Sequence, residues 1–486
     1  MSALQRLFKQ TVVYGLATVL PRMLNFFLVP LYTTPGVLTS VAEYGKISVI
    51  FSWFVIFNVI LAYGMETAFF RFFNKEKDQE AVVGTSVISL GISSFVFFAL
   101  ALLFQNQIAI ITDIKVEYIK LVIWILLLDA LVIIPFAWLR AKEQSMKYAY
   151  IKIINVVINL GLNLFFLLWL PKHSGAHFLS EQLYRPNFEI NYIFISNLVS
   201  SGITLMLLAS FYLKISYKFK AELWRRMLQY AFPVLIAGIA FSINETFDRI
   251  LLSKMLPENI ADTQIGMYSA CYKLALFMTL FATAYRLGIE PFFFSHAKTV
   301  NPQKNYAYIL EFFVTIGSLI LLGVVVFADI LKLIVIRSEE YWEAMSIVPI
   351  ILLAYLFLGM YHNLSVWYKI TDRTKFGAYI SIFGAVVTLV LNFWLIPIIS
   401  YKGSAIATLA AYGSMVVLSY YFGRKYYPIP YNIKKISAYI LISLLLSLLS
   451  FYVFRANYVV GVAFLLVFMG IIYKFEKQTI LSLLKR

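Results

Sequence analysis

Residues 81–104 read AVVGTSVISLGISSFVFFALALLF, a run without a single charged side chain. A helix that crosses about 30 Å of hydrocarbon needs roughly 20 mostly apolar residues, so this run is long enough to span a bilayer. Similar windows recur along the chain and predict an all-α polytopic membrane protein with about fourteen transmembrane helices. The predicted spans lie near residues 11–32, 45–69, 81–104, 118–139, 150–170, 191–213, 228–252, 265–288, 306–328, 343–367, 376–398, 402–422, 436–454 and 457–473.

The composition and the placement of charge agree with a membrane protein. Hydrophobic residues make up 61% of the 486 residues and charged residues 13%, whereas soluble domains are roughly half apolar and a quarter charged. Of the 41 Lys and Arg residues, 27 fall in loops on one side and 10 in loops on the other. By the positive-inside rule, both termini are expected in the cytoplasm. Because the basic residues are spread over many short loops, the net charge of +17 does not predict nucleic-acid binding.

A spacing repeat divides the chain. Tyr44 precedes Glu66 by 22 residues, and Tyr268 precedes Glu290 by the same interval in a span of the same orientation. The match predicts two parallel six-helix repeats related by an axis along the membrane normal, with the substrate path between them. The predicted domains are an N-terminal bundle over 1–220, a second bundle over 221–430 and an additional helix pair over 431–486.

Four cations lie inside the predicted spans: Arg22, Arg249, Lys273 and Arg286. A cation near the middle of a membrane helix costs at least ~2.5–3.5 kcal/mol, so these residues should face a watery cavity or an acidic partner. Arg22 and Lys273 have no acid one turn away in their own helices, which favours a substrate-binding role. Arg249 follows Glu245 by four residues and Arg286 precedes Glu290 by four, so each of them can instead pair along its own helix.

Five acids in the spans are candidates for coupling transport to an ion such as H⁺ or Na⁺: Glu66, Asp129, Glu245, Asp248 and Glu290. Asp129 lies in the middle of LLLDALVIIP (126–135). A carboxyl group there either binds and releases a proton or is the fixed partner of a cation on a neighbouring helix. The sequence leaves both roles open.

Motifs for covalent chemistry are absent from the sequence. It contains no P-loop and no His/Cys cluster with metal-ligand spacing, so we expect neither an enzyme nor a bound metal or organic cofactor. No connecting loop much exceeds ~20 residues, which is typical of a carrier with short connections.

Three segments resemble a known family. TVLPRMLNFFLVPLYTTPG (18–36) with the following EYG (43–45) resembles the first helix and loop of bacterial polysaccharide-unit flippases, which belong to the multidrug/oligosaccharidyl-lipid/polysaccharide exporter superfamily. The stretch 248–275, which begins DRILLSKML, is similar to the family's segment joining helices 7 and 8. The stretch LNFWLIPIISYKGSAIATLAAY (391–412) is similar to the segment joining helices 11 and 12.

The resemblance implies two six-helix bundles in a V that opens alternately to each side of the cytoplasmic (inner) membrane. It implies an undecaprenyl-diphosphate-linked oligosaccharide as substrate, for surface polysaccharides such as lipopolysaccharide, and a central cavity lined by cations. A polysaccharide polymerase and glycosyltransferases would be its partners. Such a substrate needs charge compensation, because bare ions cost on the order of tens of kcal/mol to desolvate in a low-dielectric medium.

Three other functions stay open. An ion-coupled multidrug antiporter of the same superfamily would favour an acidic cavity for organic cations. A peptidoglycan-precursor flippase would share most of the features described here. A membrane-embedded polymerase or glycosyltransferase would usually need a large external loop or a catalytic face bearing carboxylates.

Overall fold

The computed structural model describes residues 20, 23, 24, 26–174, 178–296 and 302–484. Thirteen helices in these residues are long and apolar enough to cross a membrane. They are α1 (Val41–Lys75), α2 (Gln79–Leu103), α3 (Val116–Ala141), α4 (Ser145–Lys172), α5 (Glu189–Lys214), α6 (Ala221–Met255), α7 (Glu258–Arg286), α8 (Pro302–Val326), α9 (Glu339–Ile370), α10 (Lys375–Ile399), α11 (Tyr401–Tyr426), α12 (Ile433–Val453) and α13 (Tyr458–Lys477). Shorter helices occupy Leu28–Tyr32, Gln105–Thr112, Phe178–Leu183 and Ala328–Val335.

The prediction of an all-α polytopic membrane protein is confirmed. Each of these thirteen helices matches a predicted span, and most of the remaining span, near 11–32, lies outside the described residues. Large apolar side chains on several helices are exposed, including those of Phe95, Met206, Trp394 and Leu441. Exposed apolar side chains in such numbers are stable against lipid rather than water.

A break divides α1 just before Glu66. Tyr63 and Gly64 both adopt positive φ angles, of 32° and 73°. A Cβ atom at Gly64 would lie 2.5 Å from the carbonyl oxygen of Ala231 in α6. Glycine therefore meets two requirements at this position: it tolerates the left-handed backbone conformation, and its lack of a Cβ atom allows α6 to approach closely. The break also places Glu66 in the first turn of the helical segment Met65–Lys75.

The chain forms two compact units, Met1–Gly266 and Met267–Arg486. In the first unit, α3 packs along α2 and α5, and α1 packs along α6. The start of α7 also approaches α1, since a Cβ atom at Gly45 would lie only 1.9 Å from the carbonyl oxygen of Asp262. Small residues let helix backbones approach in this way in membranes. The predicted division into 1–220, 221–430 and 431–486 stays a prediction.

In the second unit, α11 packs against α9 and α10, and α8 packs against α9 and α12. The pair α12 and α13 is joined by a tight turn in which Ala456 has a positive φ of 60°. Lys435 at the start of α12 pairs with Glu311 of α8 and Glu476 of α13. The final helix pair is thus tied to α8 by charge as well as by packing.

Candidate functional site

A polar cavity of about 410 Å³ lies inside the first unit. It is lined by side chains of α1, α3, α4 and α5, because each of these helices directs polar groups to the same point. The polar lining consists of Asn58, Glu66, Asp129, Tyr148, Lys152, Asn155, Asn197, Ser200, Ser201 and Thr204. At about 30 Å³ per water molecule, the space is large enough for on the order of ten waters.

Asp129 provides the buried carboxylate of the cavity. Its Oδ1 atom accepts a hydrogen bond of 2.7 Å from the Ser201 hydroxyl group of α5. Within the described part of the chain, no Lys, Arg or His nitrogen lies within 4.0 Å of this carboxylate. Among the described residues, Asp129 therefore has a hydroxyl partner and the polar cavity beside it rather than a direct ion pair.

Lys152 of α4 faces the same cavity. Its ammonium group lies 4.3 Å from the centre of the Phe136 ring, in cation–π geometry. Lys152 is one of the 27 cations assigned above to loops on one side, and it lies inside α4 instead. The signal that could have revealed it is the series Lys152, Asn155, Asn159 and Asn163, which puts polar residues on one side of a helix.

Glu66 and Arg140 form an ion pair at the edge of the cavity. The Arg140 guanidinium group also lies 4.6 Å from the centre of the Phe70 ring. Both side chains are partly exposed, by 44% for Glu66 and 35% for Arg140. Two of the predicted coupling acids, Glu66 and Asp129, are thus brought to one cavity.

Arg249 is buried and bound by a neighbouring acid. Its Nη1 atom donates to Asp248 Oδ1 at 2.9 Å and to the Glu245 carbonyl oxygen at 3.3 Å. Both residues of this ion pair lie on α6 and are buried. A buried ion pair is expensive to separate, so neither charge is readily available to a ligand.

The other predicted site residues are dispersed. Lys273 lies in a 3₁₀ turn within α7, where it is exposed, and Arg286 is half-buried near the end of α7. Both belong to the second unit. Arg22 and the side chain of Glu290 lie outside the described residues. The shared cationic cavity therefore stays a prediction.

The arrangement in the first unit suits reversible binding of a small cation or proton. A carboxylate and an ammonium group face one polar cavity without forming a direct ion pair, and hydroxyl and amide groups also line it. Oxygen ligands of this kind are those that hard cations prefer. The cavity can therefore change its charge without breaking a direct ion pair.

Comparison with known families identifies the family of the chain. The family model "Polysaccharide biosynthesis protein" matches residues 7–295, which is more than half of the chain. The chain belongs to the polysaccharide biosynthesis protein family. The resemblance noted in the sequence is thereby confirmed. A search of curated proteins gives no match.

Solved structures share the fold of this family member at low sequence identity. "Lipid II flippase MurJ, inward closed conformation" is 15% identical, with a TM-score of 0.71 over 95% of this chain and 99% of that chain. An inward-facing multidrug resistance MATE family transporter of the MOP superfamily is 14% identical, with a TM-score of 0.65 over 86% and 95%. A MATE structure in complex with MaD3S is 13% identical, with a TM-score of 0.60 over 89% and 96%. The chain is thus a multi-pass membrane protein with a transporter fold.

Proposed function

We propose that this protein flips an undecaprenyl-diphosphate-linked oligosaccharide unit across the cytoplasmic membrane by alternating access, for surface polysaccharide biosynthesis. The observation that carries the proposal is the family match over residues 7–295. The transporter fold supports it, as does the series of short connections, which leaves little room for a catalytic domain. Lipopolysaccharide is one such polysaccharide.

In this proposal, cations compensate the charge of the diphosphate while the polyprenyl tail stays in lipid. Arg22, Lys273 and Arg286 are the proposed contacts. Arg249 is proposed to act less directly, because Asp248 already neutralises it. Contacts with the diphosphate must be strong enough for entry and weak enough for release on the far side.

The polar cavity of the first unit is the proposed site of ion coupling. Asp129, Lys152 and Glu66 would change their charge or bound ion as the transporter alternates between its two states. A ligand shifts such an equilibrium only by its differential affinity for the two states, so the cavity must bind H⁺ or Na⁺ unequally in them. The acids Glu245, Asp248 and Glu290 stay further candidates.

The proposed orientation places both termini in the cytoplasm, where glycosyltransferases would supply the substrate, with a polymerase on the far side. Cysteines introduced at Asn187 and Asn259 should react with an impermeant thiol reagent applied outside cells. Cysteines at Gln79 and Asp372 should be protected. The native Cys271 is fully buried and should give little background. Labelling at Gln79 in intact cells would contradict the orientation.

The substrate proposal is tested in proteoliposomes with a fluorescent, short-chain polyprenyl-diphosphate oligosaccharide. We expect protein-dependent flipping of this lipid and no uptake of an organic cation. Arg22→Lys should keep part of the activity, and Arg22→Ala and Arg22→Gln should abolish it at normal protein levels. Uptake of the organic cation without flipping of the lipid would instead favour a drug antiporter. The MATE-like fold is compatible with that function as well.

A rescue experiment separates a binding role of Arg22 from a structural one. If Arg22 pairs with Asp129, its removal should leave a buried unpaired charge that destabilises the protein by ~3–5 kcal/mol. The double variant Arg22→Leu, Asp129→Leu would then recover normal expression, which is the readout because Asp129 is itself proposed to take part in ion coupling. Recovery would overturn the assignment of Arg22 to substrate binding.

A further inference from the structure

A second cavity, of about 470 Å³, opens at one end of the first unit. It lies where α2 begins, α3 ends, α4 begins and α5 ends, and Phe73 of α1 also lines it. All four ends are on the side that the positive-inside rule assigns to the cytoplasm. This cavity is separate from the polar cavity around Asp129, with which it shares none of its lining residues.

The lining of this recess carries an excess of positive charge. Lys142, Lys147 and Lys214 line it together with a single described acid, Glu80. The Glu80 carboxylate is already bound by the Lys218 ammonium group at 2.9 Å. In the described residues, Lys147 and Lys214 take part in no ion pair. The recess thus presents two uncompensated ammonium groups.

The third lysine is held in position by its surroundings. Lys142 Nζ donates to Gln79 Oε1 at 3.3 Å and lies 5.2 Å from the centre of the Phe73 ring. Gln144, Ser210 and Ser216 add polar side chains to the lining. Together these groups supply both charge and neutral hydrogen-bond donors for an anionic oxygen cluster.

The surroundings of the recess are apolar. Trp138 and Phe211 line it from inside the unit. Next to the two uncompensated lysines along the chain, Met146 and Leu213 are exposed, at 68% and 87%. The apolar residues of the lining itself give a ligand seated on the lysines an apolar surface beside it. A free, fully hydrated anion gains nothing from that surface, whereas an amphiphile does.

A simpler explanation accounts for part of this pattern. Lysines at the carboxyl ends of α3 and α5 complement the helix dipoles and satisfy the positive-inside rule without any ligand. The helix dipole does not account for Lys147, which lies in the first turn of α4, where the dipole disfavours a cation, so only the positive-inside rule applies at that position. Nor does it explain why lysines from separate helices converge on one recess.

We infer that this recess binds the phosphate head group of an anionic phospholipid of the inner leaflet, with the acyl chains lying on the exposed apolar side chains of α4 and α5. Basic pockets between membrane helices on the cytoplasmic side bind such head groups. A lipid there contacts all four helix ends at once and so stabilises this end of the first unit. The inference does not depend on which substrate the protein transports.

The test measures lipid binding to the purified full-length protein by native mass spectrometry, with phosphatidylglycerol and with phosphatidylcholine. Each lysine near an anionic head group should contribute on the order of fivefold to affinity. The double variant Lys147→Gln, Lys214→Gln should therefore bind phosphatidylglycerol roughly 30-fold more weakly. The variant Lys147→Arg, Lys214→Arg should retain binding.

The matched control is Lys75→Gln, Lys77→Gln. It removes the same charge from exposed positions of the same unit that do not line the recess, and it should leave the affinity for phosphatidylglycerol within about twofold of the original. Equal losses in the two double variants would show that net charge alone attracts the lipid, and would overturn the inference. So would equal binding of phosphatidylglycerol and phosphatidylcholine.

Free glycerol 3-phosphate distinguishes a lipid from a soluble phosphate ester. In the lipid account, it should fail to displace phosphatidylglycerol at equal concentration, because it lacks the chains that contact Met146 and Leu213. Displacement at equal concentration would overturn the assignment to a lipid. Unchanged thermal unfolding of both double variants would confirm that the exposed substitutions leave the fold intact.

Discussion

Helices α4 and α10 begin alike and then differ. Each opens with a lysine followed by an aromatic residue, Lys147-Tyr148 and Lys375-Phe376. Each also carries a fully buried asparagine, Asn163 in α4 and Asn392 in α10. Each asparagine donates from Nδ2 at 2.7 Å to the carbonyl oxygen four residues earlier. Each accepts a hydroxyl group at Oδ1, from Tyr32 at 2.8 Å and from Ser404 at 2.7 Å.

The residues between these shared features are different. The buried asparagines lie 16 and 17 residues after the opening lysines, so the match depends on the starting point. Counted from the lysines, Lys152 of α4 corresponds to Ile380 of α10, and Asn155 corresponds to Phe383. Lys152 and Asn155 face the polar cavity, whereas Ile380 is buried in the second unit. The asparagine common to both helices is therefore architectural, and the polar side of α4 is an addition specific to the first unit. Of these two helices, only α4 carries the polar side that lines the cavity proposed for ion coupling.

The largest effect on stability is expected when Ile380 receives the lysine found at the corresponding position of α4. Ile380→Lys places a cation in a packed interior and should destabilise the protein by at least ~2.5–3.5 kcal/mol. Lys152→Met should have a much smaller effect on stability, because its position borders a polar cavity rather than a packed interior. The stability of both variants is measured by thermal unfolding and by the amount of protein in the membrane, with Ile380→Met as the control. An Ile380→Lys variant as stable as the original protein would break the comparison.

The next effect concerns the shared asparagines. Asn163→Ala and Asn392→Ala each remove a buried hydrogen-bond partner and should each destabilise the protein by about 1–3 kcal/mol. The control is the exposed Asn74→Ala, for which a change within about 0.5 kcal/mol is expected. Thermal unfolding compares all three. If only one of the buried asparagines mattered, the architectural role would not be common to the two helices.

The smallest effect is expected at the edge of the cavity. Because Glu66 and Arg140 are both partly exposed, Glu66→Gln should change stability by only about 0.2–1 kcal/mol. Its effect should diminish further in high salt, which screens exposed pairs. A chemical denaturation series at two salt concentrations measures this. A loss of several kcal/mol would place the pair among the buried structural charges instead.

The sequence predicted the helices well because long apolar windows depend on composition alone. It also identified Asp129, since a carboxylate in the middle of such a window stands out. It did not identify Lys152 as a cation inside a span, because hydropathy does not distinguish a cation within one or two turns of a helix end from a loop residue. It offered Glu245, four residues earlier, as the partner of Arg249 along the helix, whereas the side-chain ion pair in the structure is with the adjacent Asp248. Side-chain direction, not hydropathy, decides these cases.

The central claim is that the charged cavity of the first unit takes part in transport, beyond any role in stability. The most direct measurement is the rate of polyprenyl-diphosphate oligosaccharide flipping in proteoliposomes by Asp129→Asn, Lys152→Met and the control Ile380→Met, at equal incorporated protein. The account predicts that both cavity variants lose at least about tenfold in rate, equivalent to about 1.4 kcal/mol in the barrier, while the control flips normally. Cavity variants that flip the lipid as fast as the original protein would contradict it.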